Sequence, residues 1–436
     1  MSDTLAIRGG TPVVPTGLHR RWPVITEEDK AAVLGALDSG IVSGPYAPQV
    51  KALEEEWARY CDVRYALTTN SGTAALHTAV AAGRIGTGDQ VITTAFTFLA
   101  TAMAVLHHNA VPVFVDIDPR TYNIDPARIQ ERITARTRAI IPVHIHGVPA
   151  DMDPILDIAR RHGLLVIEDA AQAHGSSYKG MKVGGIGDMG IFSFQSSKNL
   201  PAGEGGIFVT NREDLKERAN MFRMFGEDIR ESDKHTFDPA RPLDGAREYN
   251  SLVMGWMYRT TELTAALCRS QLRRLDQSLT HARGNAAFLS ERLGKVPGIT
   301  PPYVPPGCTS SFYQYRIRLN PRAAGSDLPP KAFRDKVLAA LKAEGAEVSL
   351  WQTVPVPGQT LFQDRGGYGL SCPWKCPLGQ EVKYDLAEYP QTLRLLEDSL
   401  VVGSHSYPLF PQSLALMQAY VEAFERVFAN LDQALS

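Results

Sequence analysis

Between residues 62 and 210 the chain alternates short β-branched, apolar runs with stretches in which apolar residues recur every three or four positions. Runs of the first kind fall at 65–69, 90–94, 111–116, 139–144, 164–168, 190–194 and 206–210, and helical patterns at 73–82, 98–108, 126–133 and 154–162. Strands separated by crossover helices predict an open, mostly parallel α/β sheet. A helical pattern from 262 to 293 then runs into the proline-rich stretch 297–306, where a smaller α+β domain is expected to begin. The expected division is an N-terminal arm plus a large α/β domain over 1–293 and a small C-terminal domain over 294–436. In the latter, a strand is expected at 312–319, a helix at 331–344, a Pro/Gly-rich loop at 354–379 and a closing helix at 413–431. The length of 436 residues supports two domains, because single cores stop growing near ~250–300 residues.

Charge and cysteine usage remove several functional classes. The 45 basic and 47 acidic residues nearly cancel and form no long run, so neither nucleic acid nor an anionic membrane is an expected partner. The most apolar stretch, 97–115, is broken by His107, His108, Asn109 and Pro112 and falls short of the ~18 residues of a membrane helix. Residues 1–10 hold neither a basic leader nor an apolar run, and the protein is expected in the cytoplasm. The five cysteines (Cys61, Cys268, Cys308, Cys372 and Cys376) are scattered and odd in number, which predicts reduced thiols. Cys372 and Cys376 have no second pair with which to hold zinc. His144 and His146 share one side of an expected strand, yet no carboxylate at a suitable spacing supplies a third ligand; core or pocket-lining roles are expected, and no metal.

In open α/β sheets, ligands bind beyond the carboxyl ends of the strands, and three polar sites lie there. Ser71-Gly72-Thr73 opens a helix directly after a strand, where free N–H groups and the helix dipole favour a phosphate; an ordinary N-cap would look the same. Asp169 ends the apolar run Leu164-Leu165-Val166-Ile167, so its carboxylate needs a cationic partner such as a protonated pyridine nitrogen. Lys198 follows Ile191-Phe192-Ser193-Phe194 and precedes Gly203-Glu204-Gly205-Gly206, a setting in which desolvation would free its amine to condense with an aldehyde. Each has an ordinary structural explanation alone; together, in this chain order, they point to a cofactor site.

The segments 71–76, 97–101 and 167–175, together with the stretch from Phe192 through Lys198 to Gly206, resemble the DegT/DnrJ/EryC1/StrS sugar aminotransferases over nearly the whole chain. The resemblance implies the fold type I, aspartate aminotransferase-like architecture of enzymes that use pyridoxal 5'-phosphate (PLP). By position it implies that Gly72, Thr73 and Ser193 hold the cofactor phosphate, that Phe98 stacks on the ring, and that Asp169 pairs with the ring nitrogen. Gln172 would bond the ring hydroxyl, and Lys198 would carry the cofactor and move the proton during transfer. Relatives with His in place of that lysine dehydrate sugars, so Lys198 favours transamination. His174, Tyr258 and Arg259 are expected near the substrate. The family commonly has Asn where this chain has Met257, an Asn that reaches the phosphate of the neighbouring subunit; thioether sulfur is no substitute for such a donor.

The expected activity is therefore a homodimeric PLP aminotransferase that moves nitrogen from glutamine or glutamate to a keto-sugar or keto-cyclitol, as in amino-sugar or aminoglycoside biosynthesis. The opening Leu5-Ala6-Ile7-Arg8-Gly9-Gly10 and the insert between Glu227 and Asn250 tilt the acceptor toward inosose-like cyclitols over nucleotide sugars. Two rivals stand beside it: a dehydratase resembling aminohydroxybenzoate synthase, and a PLP-binding accessory subunit without turnover.

Overall fold

The computed structural model describes residues 4–44, 46–229, 250–369, 371–375, 378 and 382–436. Most of the insert between Glu227 and Asn250, Cys376 and part of the 354–379 loop lie outside the described residues. Helix α1 (Glu27–Asp38) starts at a capping box in which Thr26 and Asp29 each accept the other's backbone N–H. Helix α2 (Pro48–Cys61) has proline in its first turn, where a missing N–H costs nothing. There follow β1 (Tyr65–Thr69), α3 (Gly72–Ala82), β2 (Gln90–Thr94), α4 (Ala100–His107), β3 (Val111–Val115), β4 (Thr137–Ile141), α5 (Met152–His162) and β5 (Leu165–Asp169). A hairpin of β6 (Ser177–Tyr178) and β7 (Met181–Lys182) precedes β8 (Met189–Ser193), β9 (Gly206–Thr210), α6 (Glu213–Phe222), α7 (Glu262–Leu272) and α8 (Leu275–Leu293). The rest comprises β10 (Ile299–Thr300), β11 (Cys308–Thr309), β12 (Tyr315–Leu319), α9 (Pro330–Ala343), β13 (Val348–Ser349), α10 (Thr360–Asp364), α11 (Pro390–Asp398), β14 (Ser399–Val402), α12 (Leu414–Ala429) and α13 (Leu431–Leu435).

Seven strands form the main sheet in the order β1-β9-β8-β5-β4-β2-β3. Strands β3, β2, β4, β5 and β8 are parallel to one another, and β9 is antiparallel to both β1 and β8. Strand β1 therefore runs with β8, and the carboxyl ends of β1, β5 and β8 share one rim. Both faces are covered, as parallel sheets require: Trp57, Ile140, Val166, Phe192 and Phe194 pack on one side, and Leu76, Ile141, Ile167, Ile191 and Phe208 on the other.

A second core gathers α9, α12 and the antiparallel sheet β10-β12-β14-β13 around Tyr315, Phe333, Leu400 and Phe424. Helix α8 bridges the cores, with Leu275 and Leu279 in the first and Ala286, Leu289 and Leu293 in the second. The opening residues pack on the second core. Leu5 and Val14 are buried there, and the N–H groups of Leu5 and Ala6 donate to Gln433 and Glu344.

Several expected elements change in length or kind. The helix expected at 126–133 is two 3-10 turns, Pro126–Arg128 and Gln130–Arg132, because so short a segment does not offset helix nucleation. The expected 262–293 helix breaks between α7 and α8, where the Arg274 guanidinium turns to Asp29 and the Val24 carbonyl. The strand expected at 139–144 ends at Ile141, before Pro142, which has no N–H for the ladder.

Candidate active site

The three rim segments meet in a cavity of about 480 Å³ whose lining includes Gly72, Thr73, Phe98, Asp169, Gln172, Ser193 and Lys198. That volume lies within the ~300–1,000 Å³ of small-molecule sites.

At the first corner, Ser71 is the extended N-cap of α3 and its hydroxyl accepts the Ala74 N–H. The Gly72 and Thr73 N–H groups, ahead of the first helical bonds, form an anion-binding end. Gly72 is required by packing: a Cβ there would lie 2.7 Å from Ser193 Cβ. Gly206, paired with both Thr69 and Ser193, is equally constrained, since its Cβ would lie 2.4 Å from the Ser71 carbonyl oxygen. These two glycines let the helix start sit directly over the sheet.

Asp169 ends β5 and is 5% exposed. Its Oδ2 accepts the Thr101 hydroxyl at 2.8 Å and its Oδ1 the Ala171 N–H at 3.1 Å. Thr97 stands 2.9 Å behind Thr101 and can donate to it, which aims the Thr101 proton at the carboxylate. Burial pushes the Asp169 pKa up, opposed by these hydrogen bonds and by the charge of Lys198. Among the described residues, no cationic side chain makes an ion pair with it.

Lys198 follows a tightly tied turn. The Gln195 amide oxygen accepts the Ser197 N–H at 2.9 Å, the Lys198 N–H donates to the Gln195 carbonyl at 2.9 Å, and the Ser196 N–H donates to the Gly203 carbonyl at 2.8 Å. The half-buried ammonium lies 4.4 Å from the centroid of the Tyr313 ring. The Trp22 indole N–H donates to the Lys198 carbonyl at 3.1 Å, tying the N-terminal segment to the lysine. Gln172 is oriented by the His146 N–H, which its amide oxygen accepts at 2.8 Å. Phe98 stands 59% exposed at the cavity edge.

Three residues expected near the substrate do not line this cavity. His174 is fully buried against Trp57, Phe192 and Phe194, its Nε2 2.9 Å from the Ser193 carbonyl, and burial lowers its pKa to about 3. The Tyr258 hydroxyl lies 2.7 Å from His77 Nδ1 and its ring stacks on Trp256. Arg259 follows it in the same strap, outside the lining. Met257 meets the site region through its backbone, whose carbonyl accepts the Asn70 side-chain N–H at 3.4 Å. His144 and His146 also diverge: His144 Nε2 lies 2.9 Å from Glu168, whereas His146, at φ 55°, accepts the Arg316 Nε–H at 3.0 Å. No group of three or more His, Cys, Asp or Glu among the described residues could hold a metal.

Sequence reasoning missed the wall supplied by the second core: Tyr313, Trp351, Gln352 and His405. It assigned no role to Thr97 and Thr101, although both fall in a segment it singled out.

The model of the DegT/DnrJ/EryC1/StrS aminotransferase family matches residues 23–395. The chain belongs to this family. DegT-family relatives include L-glutamine:2-deoxy-scyllo-inosose aminotransferase of Streptomyces fradiae, 37% identical over 380 residues, covering 85% of this chain and 86% of the relative. GDP-perosamine synthase of Caulobacter vibrioides is 37% identical over 326 residues, covering 74% of this chain and 81% of the relative. Among solved structures, an aminotransferase from Psychrobacter cryohalolentis superposes with a TM-score of 0.80 at 30% identity, covering 95% of this chain and all of that one. The α/β architecture is thus that of a family aminotransferase, and the chain is an enzyme of that class.

Proposed function

We propose that the chain binds PLP at this rim, carries it on Lys198, and transfers an amino group from glutamine or glutamate to a keto-cyclitol or keto-sugar, working as a cytoplasmic homodimer. One observation carries the reading: an anion-binding helix start, a buried acid without a cationic partner and an amine converge on one cavity. The residues fit the cofactor. The close approach of Gly72 to Ser193 leaves backbone N–H groups and a hydroxyl for the phosphate, and Asp169 is the counter-charge that a protonated pyridine nitrogen requires. Phe98 would cover the ring and the Gln172 amide would meet its hydroxyl. When bound, PLP supplies the electron sink that makes a carbon beside the nitrogen acidic. Asp169, braced by Thr101 and the Ala171 N–H, keeps the ring nitrogen protonated. Lys198 would hold the cofactor, and its free amine would be placed to move a proton during the transfer.

The names of the relatives support both acceptor classes: a cyclitol in one, a GDP-linked sugar in the other. Borohydride reduction of the purified holoenzyme followed by peptide mapping is expected to place the cofactor label on Lys198; a label on another lysine, or none, overturns the assignment. Glutamine alone should convert the cofactor spectrum to that of its aminated form, and a keto-cyclitol should reverse it. Loss of water from a substrate without an amino donor would instead support the dehydratase, and a spectrum that glutamine leaves unchanged the accessory subunit.

A further inference from the structure

A smaller chamber of about 270 Å³ opens beside the cavity of Lys198 and shares Ser197, Tyr313, Trp351 and His405 with it. It is built from the second core, where the start of β12, the end of β13 and the loop after β14 converge. Its polar lining comes from Ser197, Gln314, Ser349, Ser404, His405 and Ser406, and among the described residues no Asp, Glu, Lys or Arg lines it. Gln314 is nine-tenths buried and one partner short: its amide oxygen has no hydrogen bond, and its amide nitrogen lies 3.5 Å from His405 Nε2. His405 stands exposed at the chamber mouth, where desolvation and the charge of Lys198 lower its pKa, and its imidazole ring offers hydrogen-bonding nitrogens to a hydroxyl.

We propose that this chamber is the acceptor subsite and receives an uncharged, polyhydroxylated six-membered ring whose ketone faces Lys198, with Gln314 and His405 bonding its hydroxyls. The proposal rests on the aminotransferase reading and narrows its acceptor to the neutral class. Charge decides the occupant. An amino-acid donor brings a carboxylate and a nucleotide sugar a diphosphate, and either anion would be desolvated here without a cation. A polyol brings hydroxyls that match amide, imidazole and serine groups one for one, and C–H faces that pack on Trp351 and Tyr313. At about 270 Å³ the chamber lies just under the ~300 Å³ at which small-molecule sites usually begin, which suits a single small ring better than a nucleotide sugar.

The test separates the two half-reactions of the holoenzyme. Gln314→Leu removes the amide, and Ser406→Trp, at an exposed position of the rim, obstructs the chamber without disturbing either core. In both variants the KM for scyllo-inosose should rise about tenfold or more, while the spectral change with glutamine stays within about twofold of wild type. Calorimetry should detect myo-inositol binding to wild-type holoenzyme and its loss in Ser406→Trp. An unchanged KM, equal damage to both half-reactions, or preference for a nucleotide-linked keto-sugar over scyllo-inosose would overturn the subsite. If wild type itself gives no spectral change with glutamine, the aminotransferase reading fails instead.

Discussion

At the residue scale, the balance around Asp169 makes a testable statement about pH. Its carboxylate is buried, held by one hydroxyl and one N–H, and its pKa is raised by desolvation. In the cofactor-free protein, the ionised form is then a cost to folding that is absent below the ordinary carboxylate value near ~4 and appears as pH rises through the raised folded value. Asp169→Asn keeps the shape, accepts the Ala171 N–H and can donate to Thr101, but removes the charge. The cofactor-free variant is therefore expected to melt higher than wild type at pH 7, on the order of 1–2 °C, with the gap closing below about pH 4. In the holoenzyme the sign reverses, because the same charge is needed opposite the ring nitrogen: turnover should fall about 100-fold or more and PLP should be lost more readily on dialysis. Calorimetric melts against pH, with and without PLP, check both signs. Thr101→Val asks the same question of the brace: loss of one hydrogen bond to a buried carboxylate should cost about 1–3 kcal/mol in cofactor retention and shift the acid limb of the rate profile to higher pH, since Thr101 is what lowers the Asp169 pKa.

At the element scale, the site depends on how closely α3 approaches the sheet. Gly72→Ala would drive a Cβ into Ser193 at 2.7 Å, and either the helix start or β8 must move. A loss of about 1–3 kcal/mol is the usual cost of such overpacking. PLP affinity should fall by about tenfold, because the displaced N–H groups are those proposed to meet the phosphate; Ser71→Ala, which removes only the cap, should cost about 1 kcal/mol of stability with little change in spectrum. Equal cofactor titrations for Gly72→Ala and wild type would show that the phosphate lies elsewhere. This rim was legible in the sequence because each of its parts is local: Ser71, Asp169 and Lys198 directly follow apolar runs whose strand character fixes where they emerge. His174, Tyr258 and Arg259 were legible as chain neighbours of the site, whereas their place outside this cavity's lining was not, since chain adjacency does not set side-chain direction. Tyr313 fell in an expected strand that marked it for no site, and Trp351 and His405 gave no local signal at all. Strands β13 and β14 have two and four residues, too short for a period-2 pattern to stand out, and their loops reach Lys198 only through the packing of one core on the other.

At the scale of the whole molecule, the strap that follows the insert presents exposed apolar side chains. Phe225, Leu252, Met254 and Trp256 are large and exposed, Met254 to 82%, and they flank a groove of about 560 Å³ lined by His107, Met221, Phe222 and Val253. Isolated exposed apolar residues are ordinary, whereas a set of this kind is what the proposed homodimer would cover. The strap also touches the cofactor rim, since the carbonyls of Met257 and Tyr258 accept N–H groups of Asn70, the residue before the α3 cap. A second copy docked on this surface would therefore press on the strap that braces the helix start at Ser71, linking association to cofactor binding. With Met257 in place of a side-chain donor, that link is expected to run through the backbone and not through a direct bond to the phosphate. Met254→Asp places a charge at the most exposed of these positions without touching the core, and burying it without a partner is unfavourable. The variant should fold and bind PLP, yet self-associate at least about tenfold more weakly in sedimentation equilibrium, with PLP affinity falling as the dimer is diluted. Retention of the wild-type dimer constant by Met254→Asp would place the subunit contact on another face, whereas a weakened dimer with undiminished PLP affinity would leave the contact here and remove the proposed coupling.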